Sequence, residues 1–460
     1  MINFNNYINI NTVGILGLGV SGRSVINFYK KNNIKIYIWD DDEKTRNDFK
    51  ISKTILSNFN EVKNLNKVEL LFVSPGINLK HPIISLAKKN NISIVGDLDI
   101  FWKNLHKDSD KVIAVTGSNG KSTVCSIINH LLKSSNQNSS LGGNIGIPVL
   151  NLKPASDSIT YVLEVSSYQL ELMKKIKPNI AILTNLSPDH IERHGTYKGY
   201  VKAKEKIFMN QDSSDLAIIN TDSKEGEKMY KTLKSKINGP KIIRVSIKNK
   251  FQNSVYVESN KIINSLGVKN KLLGTVKELT SLLGQHNIEN VLISLSAVLS
   301  YGLSHKEINT YLPKFKTLPH RIEDMGTKKN IKFINDSKST NLISSSVALD
   351  CFKNIIWIAG GRRKNDSFKL LNEKITNIKA GFFIGESGEE FFNYFKNNFY
   401  CKNCLNLESA INAAINYAKI LDLNVIILFS PGCSSFDQYN NFETRGNAFK
   451  NKVNIFIRNN

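Results

Sequence analysis

Residues 112–123 read VIAVTGSNGKST, an apolar run that ends in a glycine-bracketed loop. The apolar part predicts a buried strand, and the polar part predicts a turn into a helix that starts near Lys121. Gly117, Ser118, Asn119 and Gly120 then aim several backbone N–H groups at one point, where anions collect. Lys121 supplies a point charge for the outer phosphates of a nucleotide, and the hydroxyl of Ser122 or Thr123 supplies a ligand for Mg²⁺. The general phosphate-loop pattern has a glycine where this chain has Val115, so the loop is the shorter GxxGKST form. An ordinary turn before a helix is the alternative, but strand, turn and Lys-Ser-Thr coincide, which points to an enzyme that uses ATP.

Working outward, 460 residues allow about three domains. The hydrophobic content of 41% is enough for packed cores. A formal charge of +23 invites a nucleic-acid reading, yet lysine is spread along the chain rather than gathered in basic runs with aromatics. No nucleic-acid partner is expected; acidic small molecules would be steered by such a field. The five cysteines, at 125, 351, 401, 404 and 433, form no regular set, and a reducing compartment fits them. The single CxxC at Cys401 and Cys404 has no second pair or nearby histidines to complete a zinc site, so chance spacing is the reading. The opening MINFNNYINI lacks a basic segment followed by an apolar stretch, and no apolar run approaches a membrane span. The expectation is a cytoplasmic monomer without membrane insertion.

Three segments alternate strand and helix patterns, which gives an α/β fold. In the first, INTVGILGLG, GVSGRSVINFYKK and IKIYIWD make a βαβ unit whose turn carries Gly17, Gly19 and Gly22 in GxGxxG spacing, with Asp40 closing the next strand. Such a pattern usually signals a dinucleotide. A following strand ends in the loop Ser74-Pro75-Gly76. The second segment, from about residue 101, holds the phosphate loop, GGNIG, the strand YVLEVSSYQLE ending in Glu164, and IAILTNLSPDHIERHG with Asp189 and His190. Strand ends beside a phosphate loop are where such sheets put metal ligands. The third segment, from Leu318, alternates again through KFINDSKSTN, IIWIAGGRRKND, AGFFIGESG and NVIILFSPGCSSFDQYNNFETRG.

Several side chains carry chemistry in this pattern. Glu164 can hold Mg²⁺ opposite the loop hydroxyl; a solvent-facing glutamate is the alternative. Lys204 lies on the helical YVKAKEKIF, and a lysine made less cationic by its site can capture CO₂ as a carbamate, which turns a cation into a metal-binding anion. Asn287 and Asn290 at helical spacing in GQHNIEN can hold a base or ribose. Arg321 in LPHRIED suits a phosphate through its planar fork. Lys338 and Lys364 stand on separate strand-end loops.

Taken in order, GSNGKST (117–123), GGNIG (142–146), LEVSSYQLE (163–171), SPDHIERHG (187–195), GQHNIEN (284–290), LPHRIE (318–323) and NDSKSTN (335–341) resemble the Mur ligases, ATP-dependent amide-forming enzymes. The GLGVSG and SPG loops and the carboxy-terminal SPGCSSFDQYNNFETRG resemble the D-glutamate-adding branch. The resemblance implies a Rossmann-like domain (1–100) that grips a UDP-linked substrate rather than a dinucleotide, a central P-loop ATPase-type domain (101–317) and a Rossmann-like domain for D-glutamate (318–460). It implies ATP and Mg²⁺ as cofactors, and UDP-N-acetylmuramoyl-L-alanine and D-glutamate as substrates. By motif, Val20, Ser21, Asp40, Ser74, Pro75 and Gly76 face the uridine diphosphate, while Asn144, Gln169 and His190 hold the sugar-peptide part. Gly117 to Thr123, Asn290, Arg321 and Asp336 fall to ATP, with Lys121, His190 and Lys204 as catalytic residues. Ser122, Glu164, His190 and carbamylated Lys204 fall to the metal. Lys338, Thr340, Lys364, Ser435 and Phe442 fall to D-glutamate. A related Mur or folylpolyglutamate-type ligase, and an NAD-dependent oxidoreductase, are the alternatives.

Overall fold

The computed structural model describes residues 10–31, 34–49, 53–106, 109–152, 158–267, 270–279, 282, 284–364 and 366–458. Residues 1–9, most of the amino-terminal stretch read above, lie outside them. The chain divides into two compact units, residues 1–278 with 289–312, and residues 279–288 with 313–460.

The first unit contains two parallel sheets. β1 (Thr12–Leu16), β2 (Lys35–Trp39), β3 (Thr54–Leu56), β4 (Leu70–Val73) and β5 (Ser93–Val95) run in the order β3-β2-β1-β4-β5. Val13, Ile15, Leu70 and Phe72 pack there against Val25 and Ile26 of the helix Val20–Tyr29. The second sheet takes β6 (Lys111–Thr116), β7 (Ser139–Gly143), β8 (Thr160–Glu164), β9 (Ile180–Leu183), β10 (Leu216–Asn220) and β11 (Lys241–Val245) in the order β11-β10-β9-β6-β8-β7. β6 lies between β8 and β9, so its carboxyl end opens where the winding reverses, the usual ligand crevice of such sheets. Near-continuous runs such as VIAVT suit it, because a parallel strand is buried on both faces.

A small antiparallel sheet follows, β12 (Val255–Glu258), β13 (Lys261–Asn264) and β14 (Lys271–Thr275). The sequence reading left this stretch unassigned.

The second unit holds β15 (Glu323–Lys328), β16 (Ile331–Asn335), β17 (Ile355–Gly360), β18 (Ile378–Ile384), β19 (Tyr400–Leu405) and β20 (Val425–Phe429) in the order β15-β16-β20-β17-β18-β19. All its pairs are parallel except β15 with β16. The sheet is covered on both faces, by a cluster that includes Ile411, Ala414 and Phe449 and by another that includes Trp357, Leu371 and Phe391. β15 was not foreseen, because EDMGTK is mostly polar and only half buried at an edge. Among the described residues no helix is long and apolar enough to cross a membrane.

Candidate active site

The loop after β6 gets its shape from its neighbours. Gly117 has φ +148° and Gly120 φ +81°, the left-handed side that side chains avoid. A Cβ on Gly117 would sit 1.9 Å from Thr184 Oγ1, and one on Gly120 would sit 2.2 Å from Asn290 Oδ1. The helix Lys121–Ser134 starts directly after Gly120. Lys121 Nζ donates to the carbonyls of Gly117 at 2.8 Å and Ser118 at 2.7 Å, so the ammonium lies over the loop.

Glu164, at the end of β8, is 3% exposed. Its two oxygens accept from Ser122 Oγ at 2.5 Å and from Asn144 Nδ2 at 2.7 Å. Loop hydroxyl and strand-end carboxylate therefore meet, and the GGNIG amide, given to the sugar-peptide part by the resemblance, joins them.

Lys204 reaches the same loop from the helix Tyr197–Glu205. It is 2% exposed, its Nζ donates to Gly117 O at 2.8 Å, and it stands 4.7 Å over the Tyr200 ring. Burial pushes its pKa well below the ordinary lysine value; Lys121 adds to that, and Asp189 and Glu164 oppose it. Tyr200, which the sequence reading passed over, joins its hydroxyl to Ser118 Oγ at 3.0 Å, and burial raises its pKa.

His190 lies in the loop after β9 rather than at the strand end, with φ 52°. Its Nδ1 shares a hydrogen bond with the Tyr168 hydroxyl at 3.0 Å, and its ring lies 6.4 Å from that of Tyr200. Gln169 closes a capping box with Ser166 and donates to Asp97 Oδ2 at 3.0 Å. Burial raises Asp97 to about 6, against the lowering effect of that bond.

On the first sheet, Asp40 Oδ2 accepts from Leu18 N at 2.8 Å, and Ser74 Oγ donates to Gly17 O at 2.8 Å. The GxGxxG and SPG loops are thus tied side by side, and Val20 heads its helix 72% exposed. Ser21 and Pro75 are half-buried and Gly76 is exposed.

Within the second unit, Asp336 follows β16 and is buried. It accepts from Ser339 Oγ at 2.5 Å and Ser430 Oγ at 2.7 Å, and burial raises it to about 6. Arg321 opposes that shift. Lys338 Nζ stands 3.6 Å over the Phe442 ring. Arg362 forms a two-pronged pair with Glu386, at 3.0 and 2.7 Å, and Arg363 pairs with Glu390. Both arginines thus have carboxylate partners, and Lys364 beside them is exposed. Thr340 is half-buried, and Ser435 is 2% exposed. Arg445 was missed by sequence reasoning: 1% exposed, it donates to Ser337 O at 2.9 Å and Ser337 Oγ at 3.2 Å, and props the loop that carries Lys338. The five cysteines are free thiols.

Among the described residues no group of three or more His, Cys, Asp or Glu is arranged to hold a metal. The donors at Glu164 and Ser122 are hard oxygens, the set that Mg²⁺ prefers, and a carbamate on Lys204 would add another.

A phosphate-type loop beside a buried carboxylate, on a doubly wound sheet, defines a nucleotide-using α/β enzyme. The Mur ligase middle domain matches residues 115–298, and the MurD-like N-terminal domain of Mur ligases matches residues 11–96. The chain is 36% identical over 447 residues to the UDP-N-acetylmuramoylalanine–D-glutamate ligase of Rickettsia prowazekii, covering 95% of this chain and 96% of that protein. It is 32% identical over 451 residues to that of Nitrobacter hamburgensis, covering 96% of each. In fold it is similar to the UDP-N-acetylmuramate–alanine ligase of Thermotoga maritima, with TM-score 0.58, 17% identity and coverage of 97% and 99%. It is similar also to the MurF ligase of the same organism in complex with ADP, with TM-score 0.56, 17% identity and coverage of 99% and 98%. The chain belongs to the Mur ligase family, in its MurD-like branch. That membership sets the oxidoreductase alternative aside.

Proposed function

We propose that the protein joins D-glutamate to UDP-N-acetylmuramoyl-L-alanine at the expense of ATP, a cytoplasmic step of peptidoglycan precursor synthesis. The observation that carries this reading is the meeting of Lys121, Ser122, Glu164 and Lys204 at one loop, in a chain that matches D-glutamate ligases along nearly its whole length. Lys121 neutralises charge as the γ-phosphoryl group passes to the alanyl carboxylate. The acyl phosphate is then attacked by the amine of D-glutamate, and phosphate leaves from the tetrahedral intermediate. Mg²⁺, held by Ser122, Glu164, His190 and Lys204 as its carbamate, would supply charge neutralisation on the phosphates. Lys204 suits carbamate formation because burial favours its neutral amine, which adds CO₂ and releases a proton.

Residues 1–100 take the uridine diphosphate through Val20, Ser21, Asp40 and the Ser74–Gly76 loop, and Asn144, Gln169 and His190 take the sugar-peptide part. Residues 101–317 take ATP through the loop and Asn290, with Arg321 and Asp336 as further nucleotide contacts. Residues 318–460 take D-glutamate through Lys338, Thr340, Lys364, Ser435 and Phe442. Catalysis is mainly positioning, because no enzyme nucleophile is needed. The test is phosphate release from ATP with UDP-N-acetylmuramoyl-L-alanine, comparing D-glutamate with L-glutamate and other acceptors. Turnover confined to D-glutamate is expected; turnover with a different acceptor and none with D-glutamate overturns the assignment.

A further inference from the structure

Between the SPG loop and His190 stand two side chains that the mechanism above does not use. Arg193 belongs to the four-residue helix Ile191–His194, which starts directly after His190. Its side chain is 6% exposed. One edge of the guanidinium bonds Glu171 Oε2 from Nε at 2.9 Å, and Nη1 reaches Gly76 O at 3.3 Å. Its flat face lies 4.8 Å over the Tyr168 ring. The Tyr168 hydroxyl in turn meets His190 Nδ1 at 3.0 Å. Glu171 is fixed from its other oxygen by His194 Nδ1 at 3.0 Å, and His194 Nε2 meets Ser167 Oγ at 3.0 Å.

This chain of contacts runs without a break from the Gly76 carbonyl to His190. Gly76 closes the loop assigned to the diphosphate, and its carbonyl accepts from Arg193 at the long end of ordinary hydrogen-bond length. Nη2 of the same guanidinium is buried with no hydrogen-bond partner among the described residues, so the fork keeps an unused donor. A ligand that shifted the loop would bear on the guanidinium, and the ring stacked under it carries the hydroxyl that meets His190 Nδ1. Partners of this kind set the tautomer and tilt of a ligating imidazole.

We propose that Arg193 and Tyr168 are a positioning pair that couples occupancy of the Ser74–Gly76 loop to the orientation of His190. The inference rests on the reading of that loop as a UDP site.

The test uses the full-length protein labelled with ¹⁵N, with His190 imidazole signals assigned by His190→Gln, and UDP alone as the probe, without ATP or Mg²⁺. In the wild type, saturating UDP should move both His190 nitrogen resonances. In Tyr168→Phe and Arg193→Met, UDP should still bind by calorimetry while those resonances stay put. Arg193→Lys keeps the charge toward Glu171 but loses the fork, and should also lose the shift, which covers the case that the methionine variant fails to fold. Turnover of Tyr168→Phe should fall about tenfold with KM for ATP and for the UDP substrate within about twofold, since outer-shell partners of a ligand commonly matter at that level. Bound UDP with unmoved His190 signals in the wild type, or an undiminished shift in Tyr168→Phe, overturns the coupling alone. Absence of UDP binding overturns the reading of the loop, and the coupling with it.

Discussion

Lys204 Nζ lies 2.8 Å from the carbonyl of Gly117, a buried amine on the inner side of the phosphate loop. A lysine so placed is held where burial disfavours its charge, and the nearby carboxylates of Asp189 and Glu164 recover only part of the loss. Lys204→Ala should therefore abolish ligation, and a short carboxylic acid added to the assay should restore part of it by occupying the vacated space as an anion. A variant that no carboxylate rescues, together with an unmodified amine in a high-resolution map, removes the carbamate role.

Lys121→Ala should cost at least about 10²-fold in kcat, because the transferring phosphoryl group loses its central cation. The fold should persist, since a lysine at the loop's edge contributes little apolar packing. Circular dichroism checks the second half, and near-normal turnover would remove the loop assignment.

Calorimetry on the unmodified protein should show UDP-N-acetylmuramoyl-L-alanine binding in the absence of ATP and no detectable NAD binding. Asp40 holds Leu18 N in the structure and decides nothing between the two nucleotides by itself. Tight NAD binding would sink the assignment of the first sheet to UDP.

Lys364→Ala should raise the KM for D-glutamate about tenfold, as one charge-assisted contact is worth about 1.5 to 3 kcal/mol, with affinity for the UDP substrate nearly unchanged. Steady-state kinetics in each substrate separates the two. A weakened UDP substrate with unaltered D-glutamate kinetics places the acceptor pocket elsewhere.

Asp336 carries a pH signature. Its folded value of about 6 stands above the ordinary 3.8, so the folded state holds the proton more tightly than the unfolded chain. Stability from that proton is present below pH 4 and is lost as pH rises through about 6, a difference of up to ~3 kcal/mol. Asp336→Asn does not ionise, so its thermal midpoint should exceed that of the wild type at pH 7.5, and the gap should close by pH 4. A gap that is constant with pH rules out the buried carboxylate as its cause.

Those expectations divide by how far apart their residues stand in the chain. The phosphate loop was legible because strand, glycines and Lys121-Ser122 are contiguous, and Glu164 because it ends a strand of unmistakable apolarity. His190 was expected at a strand end, but β9 stops at Leu183 and a polar loop with His190 in the left-handed region follows, a run that reads in the sequence as a continuation of the strand. Tyr168, Arg193 and Tyr200 were not legible: a tyrosine or arginine near a helix start has many uses, and only packing brings Gly76 to Arg193. Arg445 illustrates the limit best. Nothing in NNFETRG says that its arginine is buried to 1% exposure with a loop carbonyl rather than a carboxylate for a partner. The meander β12–β14 escaped because its strands are four or five residues long and half polar.

Thr184 and Asn290 confine Gly117 and Gly120 from outside the loop, one following β9 and the other from the helix Gln285–Tyr301. A compound shaped to that concavity would face a surface whose contour is set by distant segments of chain. Single substitutions at the glycines cannot recontour it without collision, so a change of contour would have to come from the confining side chains of Thr184 and Asn290 instead.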